Sequence, residues 1–276
     1  MNKLLKTDLK RILKDKLFIV VCIIGVVLAL LSPVLYKVLF TEMGEIEEDP
    51  LLSSFVSIKG LFFQSFSISN NFGLIVPILL VIIIFKDFSF GTVRNKIISG
   101  HSRVSIFLSM FLSSCIIVTI VIFAHAILTL LISLALFSNT VNEITAKEVG
   151  YFISSIGFEL IVCIFVAALI SFLSVFMKNV GLGIIGYVAI VMGITMLISG
   201  VMVAVELLTF DNGDESVIKF LQFILDSNIF YNSSYVIGMG ETYSLKQVLY
   251  ILLSSIIPTG LLVFLSIVIF NKKDIR

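Results

Sequence analysis

Long apolar runs, separated by short stretches that carry nearly all the charge, fill the chain from Leu17 onward. A helix needs about 20 residues to cross about 30 Å of hydrocarbon. Six runs reach or approach that length: Leu17 to Phe40, one ending at Phe85, Val104 to Phe137, Tyr151 to Met177, Val180 to Val205, and Val248 to Phe270. The second is cleanly apolar over only 14 residues, Phe72 to Phe85. To span, it must draw in residues back to Phe66, which places Asn70 and Asn71 in its outer quarter. The third has 34 residues, more than a bilayer needs, so its early turns belong at the membrane face. Lys178 and Asn179 alone separate the fourth and fifth, which predicts a tight helical hairpin. Backbone groups in lipid must be satisfied internally, so the runs are helices rather than strands. The expected fold class is an all-α integral membrane protein, one transmembrane domain over 1–276. Its six transmembrane helices cover 17–40, 66–85, 110–137, 151–177, 180–205 and 248–270. The first run is too long for the apolar region of a cleavable signal, about 7–15 residues, and is expected to stay attached.

Composition agrees. Hydrophobic residues make up 59% and charged residues 13% of the chain, and the mean hydropathy is +1.16. A soluble domain is about 25% charged and needs a polar coat that this chain lacks. A soluble enzyme, a disordered chain and a nucleic-acid binder are excluded, and the net charge of +1 gives no bulk pull toward anions. Cys22, Cys115 and Cys163 lie far apart in apolar runs, without metal-ligand spacing, and read as small apolar residues.

Fourteen Lys and Arg fall on one side of the six-span arrangement: Lys3, Lys6, Lys10, Arg11, Lys14, Lys16, Lys86, Arg94, Lys96, Arg103, Lys178, Lys272, Lys273 and Arg276. Five fall on the other: Lys37, Lys59, Lys147, Lys219 and Lys246. The positive-inside rule makes the fourteen cytoplasmic, with both termini inside. Before the first span, Leu5, Leu9, Ile12 and Leu13 recur at helical spacing among lysines, so 1–16 is expected to be an amphipathic helix in the inner interface. A plain basic anchor would also explain those charges. Val217 to Asp226 shows two stripes, one apolar and one polar, and predicts a short outer interfacial helix before the last span.

Gly181-Leu182-Gly183-Ile184-Ile185-Gly186 matches a dinucleotide-binding pattern, but it opens a membrane helix rather than following a strand, so the match is accidental. Gly186, Gly193 and Gly200, with Ala189 and Ala204, share roughly one face and predict close helix packing, within the bundle or across a dimer. No HExxH, GxSxG or Walker A sequence occurs, so no catalytic residues are assigned and the chain is not expected to be an enzyme. Two ionisable residues lie within spans. His125 reads either as a neutral imidazole bonded to a neighbouring backbone or as a pathway group. Glu159 needs a hydrogen-bond partner in either protonation state and is a candidate for lining a polar pathway, with Gln64, Asn70 and Asn71.

The loop 86–103 carries the most specific pattern. Asp87 lies four residues before the pair Gly91-Thr92, a short helical stretch follows, and Gly100, Ser102 and Arg103 open the third span. This arrangement resembles the ABC type-2 transporter permeases, the membrane subunits of ATP-driven exporters. Asp87 stands where that family more often has Glu, and Met110 where Lys is common. The six spans, inside termini, basic N-terminal helix and outer helix resemble the family as well. The resemblance implies that the loop couples to a separate ABC ATPase subunit through Asp87, Gly91, Thr92, Arg94, Ile97, Gly100 and Arg103. Val93, Ile97 and Ile98 would fill an apolar cleft, while Arg94, Lys96 and Arg103 would meet acidic groups. It also implies ATP and Mg on the partner and no cofactor on this chain. The working unit would be a homodimer or a pair with a sister permease, in a bacterial cell membrane. Few polar groups in the spans suit an amphipathic peptide or lipophilic antibiotic as cargo, moved outward. An ATP-independent secondary transporter or a structural subunit is the rival, disfavoured by the lack of an internal repeat.

Overall fold

In the computed structural model, residues 2–43, 58–65, 71–137, 146–177, 179–210, 213–237 and 243–273 are described. They form helices and connections, with no strand among them. In chain order the helices are α1 (Asn2–Lys14), α2 (Lys16–Met43), α3 (Ile58–Gln64), α4 (Asn71–Ser89), α5 (Thr92–Ile98), α6 (Arg103–Leu136), α7 (Ala146–Phe176), α8 (Val180–Phe210), α9 (Glu215–Asp226), α10 (Ile229–Ile237) and α11 (Leu245–Lys272).

Among the described residues, five helices are long and apolar enough to cross a membrane: α2, α6, α7, α8 and α11. The count becomes six if α4 and α5, bent by 50° at their junction, are taken as one span. The protein is a multi-pass membrane protein. Five of the six expected spans correspond to these helices, with α8 continuing past 205 to Phe210 and α6 unbroken from Arg103. The second expected span begins at 66, but 66–70 lie outside the described residues, and the helix starts at Asn71.

Polar residues punctuate the apolar runs. Ser102 caps α6, its hydroxyl accepting from the Ser105 amide at 3.2 Å. Asp214 caps α9 by accepting from Ser216 at 2.8 Å, and Ser244 with Gln247 forms a capping box on α11. The expected outer helix is therefore present, starting two residues earlier than the stripes suggest. It is followed by α10, which the sequence reading missed, nucleated where Asn228 accepts from the Phe230 amide.

Helix α7 is the hub. It packs against α11, α6, α4, α10 and α8, and buries Val162, Cys163 and the run Phe165 to Ile170. Helices α2 and α6 form a second close pair, with Ala29 and Ala126 fully buried. Helix α8 meets the bundle chiefly at its start. A Cβ on Gly183 would lie 2.6 Å from the Phe85 ring and 2.9 Å from Val81, so glycine is what lets α8 close on α4. Both described chain ends lie at one end of the bundle: Arg11 of α1 bonds Asp87 at the end of α4, and Lys273 sits 4.9 Å from the Phe88 ring.

Candidate functional site

The best-built polar site gathers at that end, around α5. Gly91 (φ +68°) and Gly100 (φ +84°) bracket this two-turn helix in left-handed conformations that only glycine adopts without strain. Gly100 donates to the Ile97 carbonyl at 2.9 Å and His101 to that of Lys96 at 3.2 Å, which closes the helix end. Thr92 opens the helix and Val93 is fully buried against the core. The loop is thus folded back on the bundle rather than extended from it.

Charges from α1 lock it there. Lys96 of α5 donates to Asp8 Oδ1 at 2.6 Å, and Ser109 of α6 donates to Asp8 Oδ2 at 2.6 Å. Arg11 donates through both terminal nitrogens to the two oxygens of Asp87, a bidentate fork. Lys86 donates to Asp15 at 2.9 Å and 3.1 Å. Asp8 is only 1% exposed, and Asp87 and Lys96 are buried too. Three carboxylates meet three cations, so the cluster is neutral as a whole, which is how charges are tolerated out of water. Burial lowers the Arg11 pKa against the opposing fields of Asp8 and Asp15, yet a guanidinium stays charged. For Asp15, burial pushes upward, but the Lys86 hydrogen bond, the Leu17 amide and nearby positive charge hold it below the ordinary value.

These pairs redistribute the residues expected to couple. Asp87 and Lys96 are engaged by α1. Arg103 donates to the carbonyls of Phe270, Asn271 and Lys273 at 3.2, 3.0 and 2.6 Å, tying the start of α6 to the end of α11. Lys273 in turn donates to the Val175 carbonyl at 2.7 Å, and burial lowers its pKa. Lys96 and Arg103, expected to meet acidic groups on another protein, both have partners within the chain: Lys96 on Asp8, and Arg103 through Nη1 on the end of α11. Val93 is likewise internal, and Ile97 is half-buried against the core. The outward surface consists of Phe90 (77% exposed), Ile98 (72%), Arg94, Asn95 and His101.

A second polar cluster lies at the opposite end of α7. Glu159 is fully buried, and its Oε1 accepts from the Ser233 hydroxyl of α10 at 3.3 Å, while Oε2 has no hydrogen-bond partner among the described residues. One turn away, Ser155 and Tyr243 share a hydrogen bond of 2.7 Å. Asn232 donates to Ser254 and to the Asp226 carbonyl, both at 2.8 Å. Asp226 itself is pushed up by partial burial, against the field of Lys246. The other pathway candidates are elsewhere. His125 Nδ1 meets the Gly25 carbonyl at 3.0 Å, fastening α6 to α2. Gln64 of α3 accepts from the Tyr36 hydroxyl at 3.4 Å. Asn70 lies outside the described residues, as does the side chain of Asn71.

A family described as a protein of unknown function (DUF2705) matches residues 18–276. The chain belongs to the DUF2705 family. No curated protein and no solved structure matches it.

In this DUF2705 chain the small-residue face of α8 divides. Gly186 approaches Met177 and Leu173, with a Cβ there 3.0 Å and 3.4 Å away, but Gly193 and Gly200 have nothing within 4 Å. The glycine that makes the tightest approach, Gly183, was dismissed with the accidental dinucleotide pattern. Sequence reasoning also missed Asp8 and Asp15. Their signal was an aspartate set at i+4 between Leu4 and Ile12, in the middle of the face that α1 buries.

Proposed function

We propose that this protein is the membrane subunit of an ATP-driven exporter of the ABC type-2 class, docking a separate ATPase through α5. The observation that carries this reading is the loop's construction: two left-handed glycines and the Lys96–Asp8 ion pair hold α5, two further ion pairs hold the end of α4 from which it departs, and Phe90, Ile98 and Arg94 project outward. Exposed apolar side chains beside a cation, on a segment otherwise tied down, suit a protein contact better than a solvated turn. In this reading the polypeptide crosses six times with both termini in the cytoplasm of a bacterial cell. Support comes from the shared location of the two described chain ends, since ends on one side require an even number of crossings. Five spans do not meet that requirement; α4, of 19 residues, supplies the sixth, and α5 turns off it by 50° at the membrane face.

The cargo in this reading is an amphipathic peptide or lipophilic antibiotic moved by a homodimer or by a pair with a sister permease. Among the pathway candidates whose side chains are described, His125 and Gln64 bond α2, which leaves Glu159.

Purification of the full chain from its native membrane should recover a P-loop ATPase. Phe90→Asp with Ile98→Asp should abolish that recovery while insertion is kept, and Glu215→Gln on the exposed surface of α9 should leave it intact. Recovery unaffected by the double variant removes α5 from the contact, and an active preparation containing no ATPase overturns the exporter reading.

A further inference from the structure

Helix α1 presents three separate faces. Successive residues turn by about 100°, so Leu4, Asp8, Arg11, Ile12 and Asp15 fall in one arc. Leu4, Asp8 and Ile12 are buried, and Asp8, Arg11 and Asp15 make the ion pairs described above. Leu5, Leu9 and Leu13 form the adjoining arc, less covered toward its end, where Leu13 is half exposed. Lys3, Lys6, Lys10 and Lys14 form the third arc, on the side away from the bundle. All four are exposed and none enters an ion pair among the described residues.

The ion pairs fix which way this third arc points. Rotation of α1 by a single residue position would bury a lysine and pull Asp8 from Lys96 and Ser109. Four ammonium groups are therefore held in a row about 16 Å long, beside a leucine arc at the level of the membrane surface. Flexible surface lysines on an unanchored helix would average over many orientations; here the row is set.

We propose that the row Lys3, Lys6, Lys10 and Lys14 binds the headgroups of anionic phospholipids in the leaflet against which α1 lies. The complementarity is of charge and of depth. The exposed lysines meet the headgroups with their ammonium groups, and Leu13, half exposed at the end of the adjoining arc, enters the acyl region. Polybasic segments next to membrane spans gain from the negative surface potential of such a leaflet, and the gain fades with salt. The site depends on the membrane reading alone and stands whichever side of the membrane α1 occupies and whatever the chain transports.

The test uses the full chain reconstituted into vesicles of equal parts phosphatidylglycerol and phosphatidylcholine. After extraction in mild detergent, retained lipid is quantified by mass spectrometry. The wild type should retain phosphatidylglycerol several-fold over its bulk share, and Lys3, Lys6, Lys10 and Lys14 changed together to Gln should bring the ratio back to bulk. The same four changed to Arg should keep the enrichment. Should the Gln variant fail to fold, a salt titration of the wild type reads the same point, with enrichment falling steadily as salt rises. Enrichment that survives in the Gln variant, or that ignores salt in the wild type, overturns the proposal.

Discussion

The two ends of the bundle treat buried charge in opposite ways. At the α5 end, Asp8, Asp15 and Asp87 each face a cation from another helix: Lys96, Lys86 and Arg11. At the other end of α7, Glu159 is as deeply buried, yet its one recorded partner is the neutral hydroxyl of Ser233 at 3.3 Å, and one oxygen has none among the described residues. The first arrangement fixes geometry, because each charge penalises any displacement of its mate. The second leaves a polar group under-satisfied, a feature expected where a structure must open or bind. One region is a clamp and the other is a point of weakness.

Unpairing the clamp should produce the largest effect. Lys96→Met leaves Asp8 buried without its closest cation and should cost about 3–5 kcal/mol, read as loss of thermal stability in detergent and exposure of α1 to protease. Asp8→Leu with Lys96→Met should recover most of that loss, since an apolar pair of similar volume avoids the desolvation penalty. A double variant no better than the single would mean the pair contributes by something other than mutual compensation.

Asp87→Ala should come next, at about 2 kcal/mol, the scale of charge-assisted hydrogen bonds. It is smaller because the Arg11 side chain remains about one-third open to solvent, 34% by area. Exchange of the two, Arg11→Asp with Asp87→Arg, should restore part of the stability, and failure to do so would show that the fork's geometry rather than its charge is required.

Glu159→Gln sharpens the contrast from the other side. The amide oxygen accepts the Ser233 bond equally well, so stability should change by less than about 1 kcal/mol, while transport or drug protection falls. A stability loss as large as that of Lys96→Met would make Glu159 a structural group and end the comparison.

The smallest effect belongs to Asp15. Its pKa is held below the ordinary 3.8 by Lys86 and the Leu17 amide despite burial. A depressed carboxylate contributes stability in full above its unfolded pKa and loses it as pH falls through the folded value. A spin label at the exposed position 13 should therefore gain mobility only on acidification below the ordinary carboxylate range. Asp15→Asn should remove this step and shift neutral-pH stability by about 0.5 kcal/mol. A transition near neutrality instead would point to a different group.

The sequence by itself determined the membrane class and the positions of the long helices. These are local or compositional properties: a run of apolar residues needs no partner to declare itself. It also set out His125 with the right alternative, a bond to neighbouring backbone, but could not name Gly25, which lies 100 positions away. The apolar face of α1 was read as Leu5, Leu9, Ile12 and Leu13, whereas the buried face is Leu4, Asp8 and Ile12. Periodicity counts apolar residues and has no means of seeing that an aspartate can be internal once a lysine 88 positions on comes to meet it. The same holds for Lys96 and Arg103, which read as surface charge in sequence and find partners in Asp8 and at the end of α11. Which charges are spent inside and which face outward is decided by pairings across the chain, and those exist only when the helices have packed.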